Sequence, residues 1–482
     1  MYQELLDAAT RGDAELVERL LRDGTGPDPE TAGHSTALYA AAAGGRTAVV
    51  EALLAHGADP GRISGGEEEG LPLGAAAALG HVETVRALLG AGADPTAKEE
   101  GGWTALLWAA SNGRDEALTV LLDAGADPEE ANDSGETALT LAARRGALGA
   151  VRVLLDRGAQ ADRPDGEGDT PLAIAYDWLG TQLESALLEQ LTEQVPEDSQ
   201  FVVGRSRASD GTDLVTVAAV NQDGERLAEL RCQRGHAAVA TLLEEATDQL
   251  PGVETLVERA LPYRDVDEEA ETWWAIASAL SRRGDEETFE AVARLCVSED
   301  PRRREFGVDV LAEFGFTEEE RPFLDRTLPI LRRMAATEGD ERVLRSVLGA
   351  LGHHADSRAL PEVLEIVTSP GWTRTQADPA ALAAVLPPGH VEGLALLISM
   401  SEDPDAEVRE WATMGLAGLA EDAEPIRDAL AARLDDEDLS TVAEATHGLL
   451  LRGDPRAARG TERVLAESDE DDDYLRDLVK GA

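Results

Sequence analysis

The sequence predicts a mostly α-helical protein of two helical solenoids joined by a small antiparallel β element, and three observations carry that expectation. A Thr, in one case a Leu, recurs at Thr36, Leu71, Thr104, Thr137 and Thr170, in steps of 35, 33, 33 and 33 residues. A second ruler of apolar residues, Leu280, Phe314, Leu351, Val385, Leu419 and Leu451, advances in steps of 34, 37, 34, 34 and 32. Between the two the helical period stops, and β-branched runs appear at Phe201-Val202-Val203 and over residues 214–220. A period of about 20–50 residues marks arrays in which each unit buries its apolar face on its neighbours. A chain of 482 residues can then exceed the size of a compact globule.

Charge narrows the function. The chain carries 95 Asp and Glu against 43 Lys and Arg, a net charge of -52, and so acidic a surface repels phosphate instead of releasing its counterions. No direct nucleic-acid binding is expected. Lys occurs only at Lys98 and Lys480; with the Ala and Gly content this bias reads as a GC-rich, bacterial genome, and the acidity reads equally as an aid to solubility. Cys232 and Cys296 lie in separate segments and cannot build a disulfide framework, which fits a reducing cytoplasm. Met1 to Asp7 has neither the basic start nor the apolar core of a signal peptide, and no run is long enough to span a membrane. A cytoplasmic monomer without membrane insertion is expected.

The first array spans residues 1–194, about six units with both caps. In its clearest unit, Gly102-Trp103-Thr104-Ala105-Leu106-Leu107-Trp108-Ala109-Ala110, the Thr caps a helix, the paired alanines allow close helix approach, and Gly125-Ala126-Asp127-Pro128 stops the second helix. The Thr-x-Leu-x-x-Ala-Ala and Gly-Ala-Asp-Pro elements, with Thr170-Pro171-Leu172, resemble ankyrin repeats. Leu71-Pro72-Leu73 departs from that pattern by lacking the Thr, and the loop of residues 61–70 before it carries two extra residues. Leu38, Leu53, Leu54, Leu106, Leu121, Leu122, Leu139, Leu154 and Leu155 are expected in the core, with Trp108 on the helix–helix side. The resemblance implies a concave face formed by the residue before the Thr and the pair after Ala-Ala: Ser35, Trp103, Glu136 and Asp169, then Leu79, Ser111 with Asn112, Arg144 with Arg145, and Asp177 with Trp178. Of these, Trp103, Ser111, Asn112, Glu136, Arg144, Arg145, Asp169 and Trp178 are the candidate partner-binding residues, since Trp and Arg dominate binding energy at interfaces. Packing of Trp103 flat on the preceding hairpin, and of Trp178 beneath the following domain, is the competing structural account.

Residues 195–232 form the junction. Strands are expected before and after Asp210-Gly211, with a turn at Asn221-Gln222-Asp223-Gly224 and a third short strand to Cys232; Arg205, Ser206, Arg207 and Ser209 fall in a loop of residues 204–211, read first as solvated and second as an anion site. The second array covers residues 233–482 and ends in an acidic run, residues 467–473, with a short closing helix. Its best unit, Asp403-Pro404-Asp405-Ala406-Glu407-Val408-Arg409-Glu410-Trp411-Ala412, resembles a HEAT repeat. Asp403 is the expected cap, Pro404 the expected helix start, and Arg409 the residue that reaches a carboxylate of the next unit. Arg304-Glu305-Phe306-Gly307 aligns with Arg409-Glu410-Trp411-Ala412. Arg302-Arg303-Arg304 is expected to face an acidic helix such as that of Glu318-Glu319-Glu320. Of His353-His354, one is expected in a turn and the other exposed.

No nucleophile elbow, phosphate loop, dinucleotide fingerprint or metal-ligand spacing occurs. No catalytic residue, cofactor or metal is therefore assigned, and the protein is expected not to be an enzyme. The leading reading is a scaffold or adaptor binding protein partners on its concave repeat surfaces. An acidic inhibitor that captures a basic partner is the alternative, and a lyase-like enzyme of the kind found among HEAT arrays is the third.

Overall fold

The computed structural model describes residues 2–28, 35–65, 70–196, 199–264, 271–315, 323–468 and 473–480. The chain forms two compact units, Met1–Ala279 and Leu280–Ala482. Among the described residues it is mostly helical, with 27 α-helices and one three-stranded antiparallel sheet.

In the first unit, the Thr ruler marks helix starts. Hairpins follow one another as α1 (Tyr2–Arg11) with α2 (Ala14–Arg22), α3 (Ala37–Ala43) with α4 (Thr47–Ala55), α5 (Pro72–Leu79) with α6 (Val82–Gly90), α7 (Ala105–Ser111) with α8 (Asp115–Asp123), and α9 (Ala138–Arg145) with α10 (Leu148–Asp156). The odd-numbered helices, continued by α11 (Pro171–Asp177), stack as an inner row and the even-numbered ones as an outer row. Thr36, Thr104, Thr137 and Thr170 each accept the backbone N–H three residues on, at 3.1, 3.3, 3.3 and 3.2 Å. The alanine pairs Ala41-Ala42, Ala76-Ala77, Ala109-Ala110 and Ala142-Ala143 are wholly buried where inner helices meet, and Leu38, Leu53, Leu106, Leu121, Leu139 and Leu154 fill the core; Leu54, Leu122 and Leu155, one position on, are only half-buried against it.

The next helix, α12 (Leu183–Thr192), packs on a sheet of β1 (Gln200–Arg207), β2 (Asp213–Val220) and β3 (Arg226–Gln233), ordered β1-β2-β3. Val203, Val217 and Leu230 are in register on one face. That face buries Val215, Val217, Ala219 and Cys232 against Leu183, Leu187 and Leu191. Residues 204–207 are strand rather than loop, and Arg205 pairs with Glu184 of α12 at 2.5 Å.

After the sheet, α13 (His236–Ala246) packs on α9, α10 and α11, as an outer helix does. A hydrogen-bond ladder identifies the position. His81 Nε2 meets the Ala43 carbonyl at 3.1 Å and Arg114 Nε donates to the Ala78 carbonyl at 3.2 Å; His236 Nε2 meets Arg144 O at 3.1 Å. Each acceptor stands at the same place in its repeat, seven residues after Thr36, Leu71 and Thr137. Helix α12 and the sheet are thus inserted between the sixth inner helix and its outer helix. The joint is tight: a Cβ on Gly146 would lie 2.4 Å from the Gln233 carbonyl, and one on Gly235 would lie 2.2 Å from the Gly146 carbonyl. The unit continues with α14 (Val253–Ala260) and α15 (Glu271–Arg283). Arg259 of α14 pairs through two nitrogens, at 2.6 and 2.8 Å, with fully buried Glu244 of α13. The Tyr176 hydroxyl also donates to Glu244.

The second unit is a run of helices: α16 (Glu286–Leu295), α17 (Pro301–Glu313), α18 (Leu324–Thr337), α19 (Glu341–His354), α20 (Leu360–Val367), α21 (Ala377–Val385), α22 (Val391–Met400), α23 (Ala406–Gly418), α24 (Glu424–Arg433), α25 (Leu439–Leu451), α26 (Ala457–Glu467) and α27 (Asp473–Lys480). Helices α17, α19, α21, α23 and α25 stack in succession. A recurring arginine locks two steps of the stack. Arg304 grips Glu338 at 2.8 and 2.9 Å while its Nη1 donates to the Ser298 and Glu299 carbonyls. Arg409 grips Asp436 at 3.1 and 3.0 Å while its Nη1 donates to the Asp403 and Pro404 carbonyls.

Two expectations change here, and a third names residues that lie outside the described ones. The cap of α23 is Asp405, which accepts from Glu407 N, and the helix starts at Ala406; Asp403 accepts from Asp405 N in the preceding turn, and the Arg409 contacts hold Pro404 outside the helix. His354 is buried at the end of α19, with Nε2 donating to the Leu311 carbonyl at 2.9 Å, while His353 is exposed. Arg304 faces Glu338; Glu318, Glu319 and Glu320 lie outside the described residues, as does part of the acidic run, residues 469–472.

Candidate functional site

The inner helices of the first unit end on one face, where two cavities lie. The larger, about 730 Å³, is lined among others by Tyr39, Ile63, Leu79, Glu99, Glu100 and Trp108. Two large aliphatic side chains stand in water there, with Ile63 59% and Leu79 47% exposed. Glu99 organises this groove: one carboxylate oxygen accepts Leu71 N at 2.7 Å and the other accepts Trp108 Nε1 at 2.8 Å. Ser64 Oγ accepts Thr36 N at 2.7 Å in the same way, so this contact ties successive hairpins together, and the start of α5 has no side-chain cap. Trp103 is half-buried and stacks on Trp108, ring centroids 4.3 Å apart and planes 26° apart.

The smaller cavity, about 190 Å³, is lined by Ser111, Leu141, Arg144, Arg145 and Trp178 from the repeats, Leu187 and Gln190 from α12, and Leu230, Arg231 and Cys232 from β3. The inserted element therefore closes over the last repeats. Trp178 stacks on His236, centroids 5.1 Å apart, and packs against the core between α12 and the sheet. Arg145 Nη1 donates to the Arg231 carbonyl at 2.5 Å, and the Cys232 thiol donates to the Arg145 carbonyl at 3.3 Å. Burial, joined by the like charges of Arg114 and Arg231, draws the Arg145 guanidinium down to about 10. Burial likewise pushes the Cys232 thiol up to about 12, so it is neutral at pH 7, and brings His236 down to about 4.

Of the residues singled out in the sequence, Ser111, Arg144, Arg145 and Trp178 share this cavity. Arg144 pairs with Glu136 at 2.7 Å and with Asp165 at 3.4 Å. Asp169 is exposed nearby, its N–H donating to Asp165. Asn112 and Ser111 both donate to the Trp108 carbonyl, closing the end of α7. Trp103 stands apart, on the side of the larger groove. Sequence reasoning missed Tyr39, Ile63, Glu99 and Arg231. Nothing local marks Glu99, or Arg231, which a sheet brings in from more than 80 residues away.

Among the described residues no group of three His, Cys, Asp or Glu side chains is placed to hold a metal ion, and no helix is long and apolar enough to cross a membrane. The family model for ankyrin repeats (3 copies) matches residues 5–99, 72–132 and 106–193. No curated protein matches the chain. Ankyrin repeats indicate a protein–protein interaction scaffold, and the N-terminal region of this chain is an ankyrin-repeat array.

Proposed function

We propose that the protein is a non-enzymatic adaptor that binds protein partners on the concave face of its ankyrin array. The observation that carries this reading is the groove of about 730 Å³, where Ile63 and Leu79 are held in water beside Tyr39 and Trp108. Exposed aliphatic side chains gathered in a concavity are stabilised when a partner covers them. Trp103, Ser111, Asn112, Glu136, Arg144, Arg145, Asp169 and Trp178 belong to the same recognition face. Part of the proposal is an ankyrin domain that closes on α13, after the inserted α12 and sheet, in place of a boundary at residue 194; a HEAT-like array follows it, and a monomer in a bacterial cytoplasm is proposed with it. The matched networks of Arg304 and Arg409 support one repeating unit in the second array.

The test is affinity capture from native lysate by the full chain and by a Leu79→Asp variant, washed at low and high salt. The expected result is a protein retained by the wild type at both salts and lost from the variant, because an aromatic and aliphatic contact is little screened. Retention by the variant with release by salt alone would move the reading to capture of a basic partner by the acidic surface.

A further inference from the structure

The inserted α12 and sheet turn the end of the open groove into a walled pocket whose chemistry differs from the rest of this acidic chain. Three guanidinium groups line it, in a protein of net charge -52. Arg144 is neutralised by Glu136 and Asp165, and Arg231 shares Glu229 with Arg226. Arg145 has no carboxylate partner among the described residues. Its Nη1 is spent on the Arg231 carbonyl and its Nε is closed off within the fold, so the guanidinium lines the pocket with no counter-ion of its own. A cation without a carboxylate, set against largely apolar walls, is stabilised by a ligand that brings one.

The other walls decide what kind of anion fits. Leu141, Trp178, Leu187 and Leu230 are apolar, and a volume of about 190 Å³ exceeds the roughly 150 Å³ of a cavity that admits benzene. Phosphate would leave these walls bare and calls for more than one unpaired guanidinium. An Asp or Glu side chain brings a carboxylate but no apolar body. A chain terminus brings both, an apolar side chain and a carboxylate on the same residue.

We propose that this pocket, within the adaptor reading on which the inference rests, takes the C-terminal carboxylate of a protein partner whose last residue is apolar. The side chain lies among Trp178 and the leucines, and the carboxylate accepts from Arg145.

The experiment uses the full chain and a fluorescein-labelled hexapeptide library ending in Leu, made once as free acids and once as C-terminal amides, read by fluorescence polarisation. Free acids are expected to bind at least about tenfold tighter than amides. Arg145→Gln should abolish that preference and Arg145→Lys should restore part of it, which separates lost recognition from lost folding. Preference for the acids that persists in Leu79→Asp supports the pocket as its source, even where the groove itself fails to hold a partner. Equal binding of acids and amides, an acid preference undiminished in Arg145→Gln, or no saturable binding of either library overturns the proposal. So does sodium hexanoate binding through Arg145 while no peptide binds, since the ligand would then be a free acid.

Discussion

Glu99 shows how a side chain from the following hairpin can tie down a helix start. It accepts the N–H of Leu71 as Ser64 accepts that of Thr36, each across 28 residues; it rests against Gly70 and Gly74, and a Cβ on Gly74 would lie 2.4 Å from its oxygen. Glu99→Ala strands two donors, the N–H of buried Leu71 and the half-buried indole of Trp108. We expect a loss of about 2–4 kcal/mol in urea unfolding, with Glu99→Gln costing less because an acceptor remains. A loss below about 1 kcal/mol would show that water satisfies both donors. The missing Thr was legible in the sequence, and α5 starts without a side-chain cap; the tie made by Glu99 was not legible. A cap is read from neighbours three residues apart, whereas Glu99 acts across 28 residues and a turn of chain. The same limit applies to Trp103: the pattern sets it at the rim of the concave face, but only the fold reveals that it leans on Trp108.

At the scale of elements, the least legible feature is that α13 takes an outer-helix position. Periodicity carried the array as far as Thr170, and then an insertion of one helix and three strands separates α11 from the helix that pairs with it. No ruler survives such an interruption, although the Gly-His pair of Gly235-His236 echoes Gly80-His81. The joint is pH-sensitive in a defined direction. His236 stays neutral down to about 4 in the folded chain against roughly 6.5 unfolded. Between these values the unfolded state binds the extra proton, so this contribution is complete above about pH 6.5 and is lost as pH falls toward 4. The loss is about 3 kcal/mol. The difference between wild type and His236→Gln, followed by urea unfolding from neutral to acid, should display that slope; parallel curves would place His236 in water. A glycine pair tests the same joint sterically. Gly125 and Gly146 both have positive φ, but a Cβ on Gly125 meets nothing within 4 Å, whereas on Gly146 it meets the Gln233 carbonyl at 2.4 Å. Gly125→Ala should cost only backbone strain, about 1–2 kcal/mol. Gly146→Ala should cost more and speed amide exchange in β3 and α13.

Across the whole molecule, the fold class was legible because repetition outlasts local errors: a misplaced cap such as Asp403 shifts a helix start by two residues and leaves the stack intact. Charge is the other whole-molecule property, and it opposes folding. Even with every Lys and Arg paired, 52 carboxylates keep no cation of their own, and their mutual repulsion is larger in the compact state than in the expanded chain. The ion pairs that lock the stack respond differently. Glu338 and Asp436 are each 6% exposed in their grips with Arg304 and Arg409, so salt screens these pairs far less than it screens the surface. Raising NaCl from about 0.1 M to 1 M shortens the screening length from about 10 to 3 Å. It should therefore weaken the repulsion more than it weakens the locks. We expect the urea midpoint of the full chain to rise over that range, and Arg409→Met to lower the midpoint by a similar amount at both salts. A midpoint that falls with salt would mean that exposed pairs such as Arg326 with Glu286 and Arg456 with Asp428 hold the arrays together more than their burial implies.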